Sequence, residues 1–238
     1  MRLDRQLSEL AFGTRREVQQ LIRQGHVTVR GETVRDPGTH TESGDEITVR
    51  GQKVDTRRIR HVILNKPEGV LTAARDPKQP TVMDLLPEVY RTLACMPVGR
   101  LDKDTTGLLL FTSDGELNHR LLSPARHVDK TYRAIVDGEL TEKDVERFAE
   151  GLDLGDFVAE KAELVLEGPE TGLVTIHEGK FHQVKRMFEA VGRQVLKLDR
   201  LSFGPLRLPE NLERGAWREL TAEEAESLYR QVGMEETL

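Results

Sequence analysis

The sequence predicts an α+β fold in two parts: a small N-terminal helix-helix-β module at 1–58, then a larger domain at 59–238 built on a mixed, mainly antiparallel sheet. Three observations lead there. The first apolar residues recur at helical spacing and then give way to strict alternation. A polar stretch without an apolar period, Gly51 to Arg60, separates the two parts and reads as a linker. Beyond it, apolar strands and helices follow one another without the regularity of a parallel βαβ array. At roughly 100–200 residues per domain, a chain of 238 residues accommodates one small and one medium core.

Leu3, Leu7 and Leu10 share one helical face before Gly13 interrupts them. Thr14-Arg15-Arg16-Glu17 then restarts a helix as a capping box, in which Thr14 accepts from a backbone N–H three residues on and Glu17 reaches back. Val18, Leu21 and Ile22 form its apolar stripe, and Gly25 ends it. Val27 and Val29 alternate with polar residues, Gly31-Glu32 turns the chain, and Ile47 and Val49 alternate again after Gly44-Asp45. The larger domain opens with the strand Val62-Ile63-Leu64, which runs into Lys66-Pro67, where proline ends a ladder. Leu108 to Phe111 is a fully apolar strand, Tyr132, Ala134 and Val136 share one strand face, and residues 141–150 read as a helix. Leu164–Leu166 and Leu173–Ile176 read as paired strands, and a further helix begins near His182.

Composition excludes several classes. The longest apolar run, Leu108 to Phe111, is far short of the roughly 20 residues of a spanning helix. The charged first turn is not followed by the apolar core of a signal peptide, so a cytoplasmic protein is expected. The single cysteine, Cys95, can form neither an internal disulfide nor a cysteine-rich zinc site. His119, His127 and His182 lack metal-ligand spacing, and these three and Cys95 read as structural. The net charge of −6 hides a segregation: residues 137–170 hold 12 acidic and 3 basic side chains, whereas residues 171–218 hold 9 basic and 5 acidic ones. That leaves room for a basic face toward a polyanion. A solvated surface would give the same counts, so composition does not name a partner.

The densest chemical candidate is Gly99-Arg100-Leu101-Asp102-Lys103-Asp104-Thr105-Thr106-Gly107, feeding directly into the apolar strand. A calcium loop would match Asp102, Asp104 and Gly107, but Ser113 stands where a bidentate Glu is required. A structural turn would use Asp102 only to cap backbone amides. A catalytic carboxylate would be kept ionised by the neighbouring Arg100. A glycoside hydrolase using Asp102 and Asp104 has no support, because two carboxylates two residues apart do not establish the required separation.

The sequence resembles the pseudouridine synthases of the RsuA type, which act on ribosomal RNA. The resemblance rests on LNKPEG at 64–69, GRLDKDTTGLLLFTSDG at 99–115, KTY at 130–132 and GKFHQVKRMFEAVG at 179–192, behind an N-terminal module like that of a small-subunit ribosomal protein. It implies that the module binds RNA and that the larger part is the synthase domain. It also implies that uridine is isomerised to pseudouridine with no cofactor and no metal. By the same resemblance Asp102 is the indispensable carboxylate, acting either as nucleophile toward the ribose or as the group that starts elimination from it. Tyr132 lies against the uracil and is the candidate base for the proton lost from carbon, where the ordinary reading is a packed core tyrosine. Lys185 is the basic partner of the aspartate. It borders the apolar face of Val184, Met187, Phe188 and Val191, and Arg186 lies almost opposite, where it suits RNA phosphate.

Arg100 is implied to help displace or stabilise an extruded base. Leu101, within GRLD, and Lys66 are carried over as substrate contacts. Arg2, Arg5, Arg15, Arg16 and Arg23, on or beside the two N-terminal helices, are expected to grip phosphates through their guanidinium forks. The compact length and Thr106 in DTTGL resemble the small-subunit enzymes, so the expected activity is conversion of one uridine in small-subunit (16S) ribosomal RNA. The substrate is naked RNA or a partly assembled small subunit, the enzyme is a monomer, and no membrane is involved. A large-subunit ribosomal RNA enzyme of the same family, or a ribosome-associated RNA-binding protein without activity, is the competing reading.

Overall fold

The computed structural model describes residues 1–235. The chain forms two compact units. The first comprises Met1–Arg60 together with Pro87–Cys95, and the second comprises His61–Leu86 and the chain from Met96 onward.

In the first unit, α1 (Leu3–Glu9) and α2 (Arg15–Arg23) precede a sheet of β1 (Val27–Val29), β2 (Glu32–Val34), β3 (Ile47–Val49) and β4 (Gln52–Lys53), ordered β2-β1-β3-β4. The expected capping box is present: the Thr14 side chain accepts from Glu17 N and the Glu17 side chain accepts from Thr14 N. Leu3, Leu7, Leu10, Val18, Ile22, Val27, Val29, Ile47 and Val49 fill one core, so both predicted periodicities face it. The two hairpins turn at Arg30-Gly31 and Arg50-Gly51, where all four residues have positive φ, as a two-residue type I′ connection requires. The first turn thus lies one residue before the expected Gly31-Glu32.

The polar stretch read as a linker is only partly one. Gln52 and Lys53 pair with β3, Val54 is buried in the core, and Arg57 and Arg60 both bond to the Asp55 carboxylate. Charge pairing replaces apolar periodicity there, which is why no period betrayed it. A second departure from the expected division is α3 (Glu88–Thr92), whose Val89 and following Leu93 pack on the core of the first unit.

In the second unit β5 (His61–Lys66), β6 (Met96–Pro97), β7 (Thr106–Thr112), α4 (Gly115–Leu122), β8 (Lys130–Val136), α5 (Glu142–Glu150), β9 (Leu152–Asp153), β10 (Val158–Ala159), β11 (Glu163–Gly168), β12 (Thr171–Ile176), α6 (Gln183–Ala190), β13 (Val195–Phe203), β14 (Leu206–Arg207), β15 (Trp217–Glu219) and α7 (Ala222–Gln231) follow in order. The main sheet runs β11-β12-β8-β13-β7-β5-β15, with β14 on β13 and β6 on β7. Among the described residues β13 and β7 are its one parallel pair, so the sheet is mixed and mainly antiparallel as expected. Ile63, Leu108 and Leu110 of the central strands pack with Leu117 and Leu121 of α4 and Leu228 and Tyr229 of α7.

The parallel pair depends on Gly107. It has φ +101°, and a Cβ built there would lie 2.2 Å from the Arg200 carbonyl oxygen and 2.4 Å from Asp199 Oδ1. No L side chain fits without separating β7 from β13. Gly107→Ala should therefore lower stability by roughly 2–5 kcal/mol, combining overpacking with a strained backbone. Urea denaturation measures this, and an unchanged midpoint would show that the two strands part at no cost.

Candidate active site

The loop between β6 and β7 is held from beneath by one buried cation. Lys66, at the end of β5, is fully buried. Its Nζ donates to the carbonyls of Pro67 (3.1 Å), Asp102 (3.0 Å), Lys103 (3.2 Å) and Thr105 (2.9 Å). Burial lowers the ammonium to about 8, with the charges of Asp104 and Asp102 opposing the shift. Two further ties complete the loop: Thr72 Oγ1 donates to Leu101 O (2.7 Å) and accepts from Leu101 N, and Gly69 N donates to Lys103 O (2.8 Å). Lys66 was expected at the substrate. Three of its four carbonyl acceptors belong to this loop and the fourth to Pro67, so the buried ammonium holds backbone and is not presented to RNA phosphate.

The loop presents Asp102 to α6. Lys185 Nζ lies 3.3 Å from Asp102 Oδ2 and 2.6 Å from Asp104 Oδ1, so its shorter bond is to the carboxylate that was not singled out. The Lys185 hydrogen bond is also the main cause that holds Asp104 below the ordinary aspartate value. Burial pulls the Lys185 ammonium down, but the Asp104 hydrogen bond and the Asp102 charge outweigh it and hold it above the usual lysine value. On the other oxygen of Asp102, His182 Nε2 stands 3.4 Å from Oδ1. His182 had been read as structural, and it is instead at the site. Its distance along the chain from Asp102 and the absence of metal-ligand spacing concealed it.

Asp102 opens on a shallow, solvent-open cleft lined by Arg100, Leu101, Thr105, Tyr132, Lys180 and His182 among others. Tyr132, on β8, is 7% exposed, and its hydroxyl has no hydrogen-bond partner among the described residues. Leu101 is buried beneath the cleft, and Arg100 is exposed at it. The structure thus brings together Arg100, Leu101, Asp102, Tyr132 and Lys185.

Arg186 does not join them. It bonds to the Asp156 carboxylate and to Leu154 O (2.7 Å), with its guanidinium carbon 5.0 Å from the Phe157 ring centroid, so its donors serve the β9-β10 hairpin and not a phosphate. His119 is exposed on α4, His127 packs edge-on against His177, and Cys95 is buried in the first unit. Among the described residues no group of three His, Cys, Asp or Glu side chains is placed to hold a metal ion.

The N-terminal arginines divide. Arg2 and Arg15 both bond to Asp4, whose side chain is fully buried. The Arg2 hydrogen bond is the largest of the causes that hold that carboxyl far below its usual range. Arg5 pairs with Glu9 at 2.7 Å. Arg16 and Arg23 are exposed and have no acidic partner among the described residues.

Lys66→Met would leave buried carbonyls without a donor and should lower stability at pH 7 by roughly 1–3 kcal/mol. The pH dependence has a definite sign. An unfolded lysine keeps its proton to about 10.4, the folded one only to about 8, so between these values the unfolded state binds more protons and wild-type stability gains with rising pH. The variant lacks that gain. Paired urea titrations at pH 7 and pH 9 should show the gap between the two proteins widening, and a narrowing gap would contradict the lowered ammonium.

Comparison with known proteins agrees with this geometry. The family model described as RNA pseudouridylate synthase matches residues 60–190, and the S4 domain model matches residues 1–47. The chain is 42% identical over 233 residues to "Ribosomal small subunit pseudouridine synthase A" of Pseudomonas aeruginosa, covering 94% of this chain and 98% of that protein. It is 37% identical over 246 residues to "Ribosomal large subunit pseudouridine synthase B" of the same organism, covering 98% of this chain and 63% of that protein. A solved structure titled "Crystal structure of pseudouridylate synthase" superposes with a TM-score of 0.67 at 34% identity, covering 96% of this chain and 99% of that one. With an S4 domain ahead of a mixed-sheet domain whose loop carries Asp102, the chain belongs to the RNA pseudouridylate synthase family.

Proposed function

We propose that this isomerase converts one uridine of small-subunit ribosomal RNA to pseudouridine, as a monomer in the cytoplasm, where that RNA is assembled. The observation that carries the reading is the Asp102 carboxylate at an open cleft, with Lys185 on one oxygen and Tyr132 on the lining. The small-subunit preference is supported by the near-complete mutual coverage with the small-subunit relative, against 63% of the length of the large-subunit one.

The reaction breaks the bond between the ribose and N1 of the uracil, rotates the base and joins the ribose to C5, with loss of the C5 proton and a gain of one at N1. Asp102 acts at the ribose, and Lys185, 3.3 Å from its Oδ2, aims it. Tyr132, whose hydroxyl has no hydrogen-bond partner among the described residues, lies against the uracil and takes the C5 proton. Arg100, exposed at the cleft, occupies the space the extruded base leaves. Extrusion itself costs a few kcal/mol.

Asp102→Asn should abolish tritium release from 5-tritiated uridine RNA while leaving RNA affinity within a few fold, because the amide keeps the size and removes the charge. Asp104→Asn should stay active, since it frees Lys185 for Asp102. Appreciable turnover by Asp102→Asn would end the catalytic assignment. Mapping pseudouridines in cells with and without the gene tests the substrate: one site should vanish from small-subunit RNA, and loss of a large-subunit site would reassign it.

For the N-terminal module, the phosphate contacts are assigned to Arg16 and Arg23, which have no acidic partner among the described residues. Arg16→Ala and Arg23→Ala should each flatten the log–log salt dependence of RNA binding by roughly 0.7–0.9. Arg5→Ala should leave it nearly unchanged. Equal slopes for all three variants and the wild type would remove this face from RNA binding.

A further inference from the structure

Phe181 is a large apolar side chain left in solvent, 68% exposed. Its neighbours in sequence, Lys180 and His182, both line the cleft at Asp102. The Phe181 ring stacks on the His182 imidazole with centroids 3.8 Å apart and planes inclined by 17°. His182 holds a left-handed backbone at φ +49°, uncommon for a residue with a side chain. Among the described residues no other ring packs on Phe181, and its 68% exposure leaves most of the side chain open to solvent.

The segment that presents this stack is braced. Gln183, 3% exposed, donates to Glu178 Oε1 (2.7 Å) and accepts from Lys180 N (3.0 Å). Glu178 also accepts from Glu160 N and pairs with Lys180 Nζ at 2.8 Å, and that ammonium sits 3.9 Å over the Phe157 ring. An exposed ring carried between two residues that line the cleft at Asp102 answers a specific need. When a uridine leaves its stack, the adjacent base loses a stacking partner, and an aromatic face can replace it whatever the base's identity.

We infer that the Phe181–His182 pair is a base-stacking platform: the nucleobase next to the target uridine lies on the exposed ring of Phe181 while the uridine enters the cleft at Asp102. The inference rests on reading that cleft as the uridine site. Phe181 is thereby a positioning residue for RNA, in contact with the substrate strand and not with the reacting atoms.

The test uses the full chain and naked transcripts of small-subunit and large-subunit ribosomal RNA carrying 5-tritiated uridine. The wild type is scored on both, and the transcript it converts is used for the variants. Where neither naked transcript is converted, both are scored again with ribosomal proteins assembled on them, and conversion in neither form refutes the reading of the cleft and this inference with it. On the converted RNA, Phe181→Ala should raise Kd and KM roughly 5- to 150-fold, with kcat falling far less and the salt slope unchanged, because stacking releases no counterions. Phe181→Trp should restore wild-type values. Wild-type affinity of Phe181→Ala, failure of Trp to rescue, or a flattened salt slope would each overturn the platform. So would a defect confined to RNA carrying ribosomal proteins, which would make Phe181 a protein contact.

Discussion

A charged ammonium under a protein surface is tolerable only where carbonyl dipoles take the place of its water, and Lys66 meets that condition by sitting beneath the loop that carries Asp102. Four carbonyl oxygens converge on its Nζ, and three of them belong to residues 102, 103 and 105. The loop cannot relax outward without stranding the charge. Pro67 ends the strand just where the lysine must leave the ladder, so the edge of β5 and the backbone of the site form one mechanical unit. The same constraint passes along the chain: β7 starts at Thr106 and is at once pressed against β13 through Gly107. That contact brings Leu198 of β13 to the wall of the cleft.

Charge within the site is set by sharing. Lys185 lies between two carboxylates, and its shorter bond is to Asp104, which is the more exposed of the two. A partner at 2.6 Å keeps the ammonium charged and in place, while the longer contact leaves Asp102 an oxygen that is oriented without being saturated. The next residue on the helix, Arg186, is spent on Asp156. Neighbouring basic residues on α6 thus have different fates because each faces a different acidic neighbour. The first unit follows the same rule: buried Asp4 absorbs Arg2 and Arg15, and the uncompensated positive charge of that helix pair falls to Arg16 and Arg23.

How far the sequence spoke for itself varies with the range of the interaction. The capping box at Thr14–Glu17, the apolar stripes of α1 and α2, the alternation in β1 and β3, and the apolar runs of β5 and β7 all follow from contacts within a few residues, and all form where periodicity put them. Strand β13 pairs in parallel with β7, yet its polar residues interrupt any clean alternation and it was not legible. Gln52–Lys53 and α3 were hidden for a related reason: charge pairs, and a core contributed by a distant segment, hold them.

The motif at 99–115 marked Asp102 through its resemblance to a family pattern, and local chemistry by itself indicated α1, α2, α5, α6 and the apolar strands. Tertiary structure alone decided which side chains surround it. Lys66 turned inward because the loop folds over it, His182 arrived at Asp102 because α6 begins there, and Asp104 took the shorter bond of Lys185. Each of these contacts joins residues about 36 to 81 positions apart. Strand pairing, which no local pattern encodes, sets the distance between them.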